Sequence, residues 1–125
     1  MEIKSRLQLW LPVVAWMGLI FALSSVPGLS SGLDSAWDWP LRKLAHLVEF
    51  AVLAGLFVRA LIKKDGRPTW GVLGAAIILT VLYSFTDEWH QRFVADRVGS
   101  ENDVVIDAVG ALVGSAVIGW RFRKR

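Results

Sequence analysis

Cysteine is absent from the chain, and charged residues are scarce for its size. Without cysteine, disulfide bonds, thiol chemistry and zinc sites built on thiolates are excluded. Charged residues make up 20% of the 125 residues, against roughly 25% in a typical soluble domain. The sequence also has no internal repeats and no low-complexity tracts. Its length predicts a single domain over residues 1–125.

Long apolar runs take up much of the chain. Hydrophobic residues account for 54% of the sequence, and the mean hydropathy is +0.48. Four segments approach the roughly 17 to 25 residues that a membrane-spanning helix needs. None shows the period of two that is typical of barrel strands. We therefore predict an all-α membrane bundle of four transmembrane helices, at about residues 7–23, 44–62, 70–91 and 103–120.

The basic residues predict how these helices are oriented. Ten of the 14 lysines and arginines lie before the first segment, around the link between the second and third, or after the fourth. Because such residues concentrate on the cytoplasmic side, both termini are predicted to be cytoplasmic. We interpret the net charge of +3 as this topology signal and predict no nucleic-acid partner. The first segment resembles a signal peptide, but its apolar run is longer than usual, so we predict that it is retained.

Polar and ionisable residues fall in three groups, each at one end of an apolar segment. The groups are Lys43, His46 and Glu49; Ser84, Glu88 and Gln91; and Arg97, Asp103 and Asp107. If the segments cross a bilayer in alternation, all three groups reach the same leaflet, which is the outer one in the predicted topology. Charged groups at membrane depth are costly and persist when they are paired or functional. We therefore predict a site formed there by the second, third and fourth helices.

The residue types suggest roles within this site. Five residues are candidates for acid–base catalysis, namely His46, Glu49, Glu88, Asp103 and Asp107. Four are candidates for ligand binding, namely Lys43, Ser84, Gln91 and Arg97. The alternative is a polar network that only stabilises the bundle. We predict no cofactor and no metal, because the spacing of Asp87, Glu88 and His90 matches no strong ligand signature.

Small residues share a helical face with the acids of the fourth segment. Asp103, Asp107, Gly110 and Gly114 are spaced by four, three and four. Small residues let helices approach closely, so this face is predicted to pack inside the bundle. A homo-oligomer formed through Gly110 and Gly114 is the alternative.

The order of these motifs resembles the VanZ-like family of small bacterial membrane proteins. The resemblance rests on Lys43-x-x-His46-x-x-Glu49-Phe50, Ser84-x-x-x-Glu88-x-x-Gln91, Arg97, Asp103, Asp107, Gly110 and Gly114. It implies several helices in the bacterial cytoplasmic membrane and, for the family's namesake, a link to resistance against the glycopeptide teicoplanin. The resemblance implies no accepted biochemical activity. Members often have Asn where this chain has Asp107, so this chain carries an added negative charge there.

Three functions are compatible with the residues and the resemblance. The first is binding of, or action on, an anionic lipid or lipid-linked cell-envelope precursor, with catalysis left open. The second is a non-enzymatic envelope modulator or binding protein. The third is a small proton-coupled transporter with Glu49 as the carrier. Transport is the least favoured, because its sites lie near the bilayer midplane and these residues reach only one leaflet.

Overall fold

Four long helices make up the described part of the chain. The computed structural model describes residues 2–26, 35–62, 66–94 and 101–124. The helices are α1 (Glu2–Ser24), α2 (Ser35–Leu61), α3 (Trp70–Gln91) and α4 (Glu101–Arg123). Each is long and apolar enough to cross a membrane. The prediction of an all-α bundle of four membrane helices is confirmed, while the leaflet that holds the termini stays a prediction.

Three of the helices extend beyond the apolar segments that predicted them. α1 and α4 begin at Glu2 and Glu101, and α2 begins at Ser35, well before the predicted residue 44. The apolar run marks only the part of a helix that suits hydrocarbon, whereas each further residue still gains a backbone hydrogen bond. An ion pair of 3.2 Å between Asp38 and Arg42 spans one turn of this extension.

The bounds of α3 agree with the predicted residues 70–91. Thr69 caps its first turn, because its hydroxyl oxygen accepts a hydrogen bond of 3.2 Å from the amide of Val72. A threonine at this position satisfies one of the amides that a helix start leaves without a partner. The start of α3 is therefore fixed by a local polar contact as well as by the apolar pattern.

Contacts between α2 and α4 show that these two helices run parallel. Leu47 lies against Gly110, Ala51 against Gly114, and further along Gly55 lies against Ile118. Residue numbers therefore rise together on both helices, with a step of four. A connection through α3 makes this arrangement possible, since α3 returns the chain to the end of the bundle where α4 starts.

The other helices run opposite to their neighbours in the chain. Trp10 packs on Phe57, and the indole of Trp16 donates a hydrogen bond of 2.9 Å to the carbonyl oxygen of Glu49, so α1 and α2 are antiparallel. We call one end of the bundle the site end; it contains the last turns of α1 and α3 and the first turns of α2 and α4. The terminal end is the opposite one, where α1 begins and α4 finishes.

Two glycines bring α4 into backbone contact with α2. A methyl group added to Gly114 would lie 2.7 Å from the carbonyl carbon of Ala51, and one added to Gly110 would lie 3.2 Å from that of Leu47. No side chain fits at Gly114 without a shift of the backbone, and Gly110 has little more room. The predicted packing of this face within the bundle is confirmed. A homo-oligomer through the same glycines would require α2 to move away.

Apolar side chains fill the middle of the bundle between α1, α2 and α3. Phe50, Leu53 and Val58 of α2 are fully buried, together with Val13 of α1 and Ala76 of α3. Large apolar side chains also cover the outer surface, as expected for helices that face lipid. The apolar core separates the polar site end from the terminal end.

Candidate functional site

Asp107 lies at the centre of the polar residues at the site end. Its side chain is fully buried, and two other helices contact its two oxygens. The Ser84 hydroxyl of α3 donates a hydrogen bond of 2.7 Å to Oδ2. The imidazole Nδ1 of His46, on α2, lies 3.3 Å from Oδ1. We call His46, Ser84, Glu88 and Asp107 the central network.

Close helix packing places Asp107 in this position. Gly110 lies one turn further along α4, on the same face, and its contact with α2 draws the acid towards His46. The ring of His46 stacks on buried Phe50, with centroids 6.3 Å apart and planes 8° apart. The imidazole is therefore held in one orientation by an aromatic neighbour and by a carboxylate.

Glu88 brings a second acid into the central network. It lies one turn after Ser84 on α3, and only 4% of its surface is exposed. Ligand atoms of His46, Glu88 and Asp107 all lie within 4.8 Å of one another. One imidazole nitrogen and two carboxylate oxygens in such a space could bind a divalent transition metal, or could exchange a proton among themselves.

Lys43 and Asp103 form an ion pair at the mouth of the site. The ammonium nitrogen contacts Oδ1 of Asp103, and 24% and 10% of the two side chains are exposed. One turn of α2 and of α4 separates this pair from the buried contact between His46 and Asp107. The structure thus places a partly exposed charge pair above a more deeply buried one.

A separate polar group lies between α1 and α3, and the sequence did not reveal it. Ser24, Asp87 and Gln91 are each at least 95% buried. The Ser24 hydroxyl donates to Oδ1 of Asp87, and the Gln91 amide lies 3.3 Å from both Oδ2 of Asp87 and Oγ of Ser24. We call these three residues the α1–α3 group. Gln91, predicted to bind a ligand beside Ser84 and Glu88, hydrogen-bonds within this group.

A periodic signal for this second group was present in α3. Tyr83, Asp87 and Gln91 recur at intervals of four and so share one face. The Tyr83 hydroxyl donates a hydrogen bond of 2.5 Å to the carbonyl oxygen of Met17, which turns that face towards α1. The neighbouring face, with Ser84 and Glu88, turns towards α2 and α4. Two polar faces on one membrane helix indicate two separate polar contacts.

Glu49 is one turn after His46 on α2 and is half-buried. Its carboxylate interacts electrostatically with His46, and its backbone carbonyl is the acceptor for Trp16. Arg97 lies outside the described residues. The structure therefore brings together Lys43, His46, Ser84, Glu88, Asp103 and Asp107 at the site end.

The arrangement does not form a catalytic triad of the Ser–His–Asp kind. In such a triad the histidine lies between the serine and the acid. Here Ser84 and His46 contact different oxygens of the same carboxylate. The contacts suit proton exchange or binding of a polar group, and they do not prepare the Ser84 hydroxyl as a nucleophile.

Comparison with known proteins agrees with this architecture. The VanZ/LLP1 family model matches residues 9–122, which include α2, α3, most of α1 and α4, and every residue of the central network. No curated protein and no solved structure matches the chain. With a match of this extent, the chain belongs to the VanZ/LLP1 family.

Proposed function

We propose that the site end binds the phosphate-bearing headgroup of an anionic lipid or lipid-linked envelope precursor and exchanges a proton with it. The observation that carries the proposal is that half-buried His46 and buried Glu88 and Asp107 bring their ligand atoms within 4.8 Å of one another at one end of a largely apolar bundle. Ionisable groups at membrane depth are expensive, and three helices contribute to this set. In the predicted topology the ligand comes from the outer leaflet.

We assign the first contact with the headgroup to Lys43. Its ammonium has three donors, and Asp103 is an acceptor for one of them. The side chain is partly exposed at the mouth of the site, so a phosphate oxygen can reach the ammonium without entering the core. Arg97 is proposed to supply a second, bidentate contact to phosphate.

We assign proton exchange, deeper in the site, to His46 and the two acids. Imidazole is the side chain that changes charge most readily near neutral pH, and Asp107 can stabilise its charged form. Glu88 can accept or return a proton within the same space. Action on the ligand would then be acid–base chemistry without a covalent enzyme intermediate, since Ser84 is bonded to Asp107 and not to His46.

A purely structural network is the competing interpretation, and substitutions distinguish it. We would make His46→Gln, Glu88→Gln and Arg97→Gln, and measure membrane abundance, melting in detergent and susceptibility of the host to teicoplanin. Normal abundance with altered susceptibility supports the site. Removing one partner of a buried ion pair costs about 3 to 5 kcal/mol, so a structural network would lose folded protein in step with phenotype.

Matched controls lie at the same end of the bundle. Arg42 of α2 and Arg92, which follows α3, are exposed, so Arg42→Gln and Arg92→Gln each remove a positive charge outside the site. Both should behave like the parent chain, since exposed charges contribute only about 0 to 1 kcal/mol. Equal effects of control and site variants would contradict the proposal.

Binding and catalysis are separated by comparing lipids from cells with and without the protein. A lipid species that changes with the protein and reverts in Glu88→Gln indicates a reaction. An unchanged lipid profile with changed teicoplanin susceptibility indicates a binding protein or envelope modulator. Loss of function in EDTA that Mn²⁺ restores would assign His46, Glu88 and Asp107 to a metal centre.

A further inference from the structure

A groove runs between α2 and α4 on the outer surface of the bundle, away from the central network. Its volume is about 540 Å³, within the range of roughly 300 to 1,000 Å³ that is usual for small-molecule sites. Ala51 and Gly55 of α2 and Gly114 of α4 contribute to its lining. These small residues pack closely together and form the floor of the groove, while Val113 and Val117 make its wall apolar.

The length of the groove along the helices is close to the thickness of one leaflet. Arg59, at its polar end, follows Ala51 by eight residues, which corresponds to about 12 Å along a helix. The hydrocarbon core of a bilayer is roughly 30 Å thick, so the groove covers less than half of it. This length matches an acyl chain of one leaflet. A transmembrane helix from a second copy would contact the bundle over a greater depth.

Two arginines lie at the end of the groove that belongs to the terminal end of the bundle. Arg59 of α2 and Arg121 of α4 both line it, and both are exposed. Among the described residues no carboxylate forms an ion pair with either guanidinium. Guanidinium groups bind phosphate in bidentate fashion, and basic pockets between membrane helices bind anionic lipid headgroups.

We propose that this groove binds an anionic phospholipid. One acyl chain lies along the small residues of α2 and α4, and the phosphate lies between Arg59 and Arg121. In the predicted topology this lipid belongs to the cytoplasmic leaflet. The proposal is independent of the function assigned to the site end, because the groove extends from the middle of the bundle towards the terminal end and shares no residue with the central network.

Native mass spectrometry of the delipidated full chain in detergent tests the headgroup contact. The probes are phosphatidylglycerol and phosphatidylcholine with identical acyl chains. We expect tighter binding of phosphatidylglycerol. Each of Arg59→Gln and Arg121→Gln should weaken it about fivefold, since a basic residue near an anionic lipid contributes about 1 kcal/mol. The control is Lys4→Gln with Arg6→Gln, two exposed basic residues at the same end that do not line the groove.

A second pair of variants tests the apolar part of the groove. Val117→Trp fills the groove. The control is Ile78→Trp on α3, outside the groove, because Ile78 is 61% exposed and Val117 is 55% exposed. Val117→Trp should weaken binding of both lipids, and Ile78→Trp should weaken neither. Equal affinity for the two lipids, or equal loss in the Lys4 and Arg6 control, would overturn the proposal. The protein could instead form a dimer that contains no lipid and that Val117→Trp dissociates. This result would assign the groove to a second copy of the chain and would also overturn the proposal.

Discussion

Asp107 is a single carboxylate with partners on two other helices. Each of its oxygens has its own contact, Ser84 on one side and His46 on the other. Complete burial means that water cannot replace either partner. A side chain that keeps an acceptor oxygen at this position should therefore preserve much of the network, and an apolar one should not.

We expect Asp107→Asn to fold and Asp107→Leu to fold poorly. The amide keeps one acceptor oxygen for Ser84 or His46, so the loss should be about 1 to 2 kcal/mol. Leucine leaves both partners without an acceptor in a buried place, and the loss should approach about 3 to 5 kcal/mol. Melting temperatures in detergent would rank the two variants, with Arg42→Gln as the exposed control. If Asp107→Leu were as stable as Asp107→Asn, the central role of Asp107 would be contradicted.

At the scale of elements, α2 and α4 form the structural centre of the site. Their parallel packing places Lys43 beside Asp103 and His46 beside Asp107. Gly110 and Gly114 determine how closely the two helices approach. A displacement of α4 would therefore separate both charge pairs at once, although the glycines themselves carry no chemistry.

We expect Gly114→Leu and Gly110→Leu to disrupt the bundle far more than Val113→Leu. The first two put a side chain against the backbone of α2, and overpacking typically costs about 1 to 3 kcal/mol or more. Val113 is 46% exposed on the membrane-facing side of α4 and tolerates a larger residue. The amount of monodisperse protein in detergent checks this ranking. Equal yields for all three variants would show that the glycines do not determine how closely α2 and α4 pack.

Much of this arrangement follows from the sequence, and the remainder depends on helix rotation. Apolar length predicts four helices, and spacing along α4 predicts that Asp107 shares the packing face of Gly110. Spacing alone cannot show which neighbour a given face of α3 meets. Gln91 was therefore grouped with Glu88, whereas it bonds to Asp87 and Ser24. The start of α2 was also missed, because apolar length carries no signal for a helix that continues past the hydrocarbon.

At the scale of the whole molecule, the two ends of the bundle have different charge chemistry. The site end contains paired acids and bases, most of them buried. At the terminal end, described basic side chains contact aromatic rings: Arg123 lies 5.0 Å from the ring centre of Trp70, and Lys124 4.1 Å from that of Trp120. Basic and aromatic residues together are typical of the membrane interface. The site end has one such contact as well, because Lys43 lies 5.8 Å from the ring centre of Trp39. The direction of the molecule in a bilayer is therefore predicted from its basic residues alone.

Labelling of single cysteines would determine that direction. The chain has no cysteine of its own, so each introduced thiol is unique. Ser31 and Asp65 lie outside the described residues. In the sequence Ser31 falls between α1 and α2, whose adjoining ends are at the site end, and Asp65 falls between α2 and α3, whose adjoining ends are at the terminal end. Because lysine and arginine concentrate near the terminal end, an impermeant thiol reagent should label Ser31→Cys in intact cells and spare Asp65→Cys. Permeabilised cells should label both, which shows that each thiol is reactive. Labelling of Asp65→Cys alone in intact cells would reverse the orientation, place the central network in the cytoplasmic leaflet, and move the proposed headgroup ligand there with it.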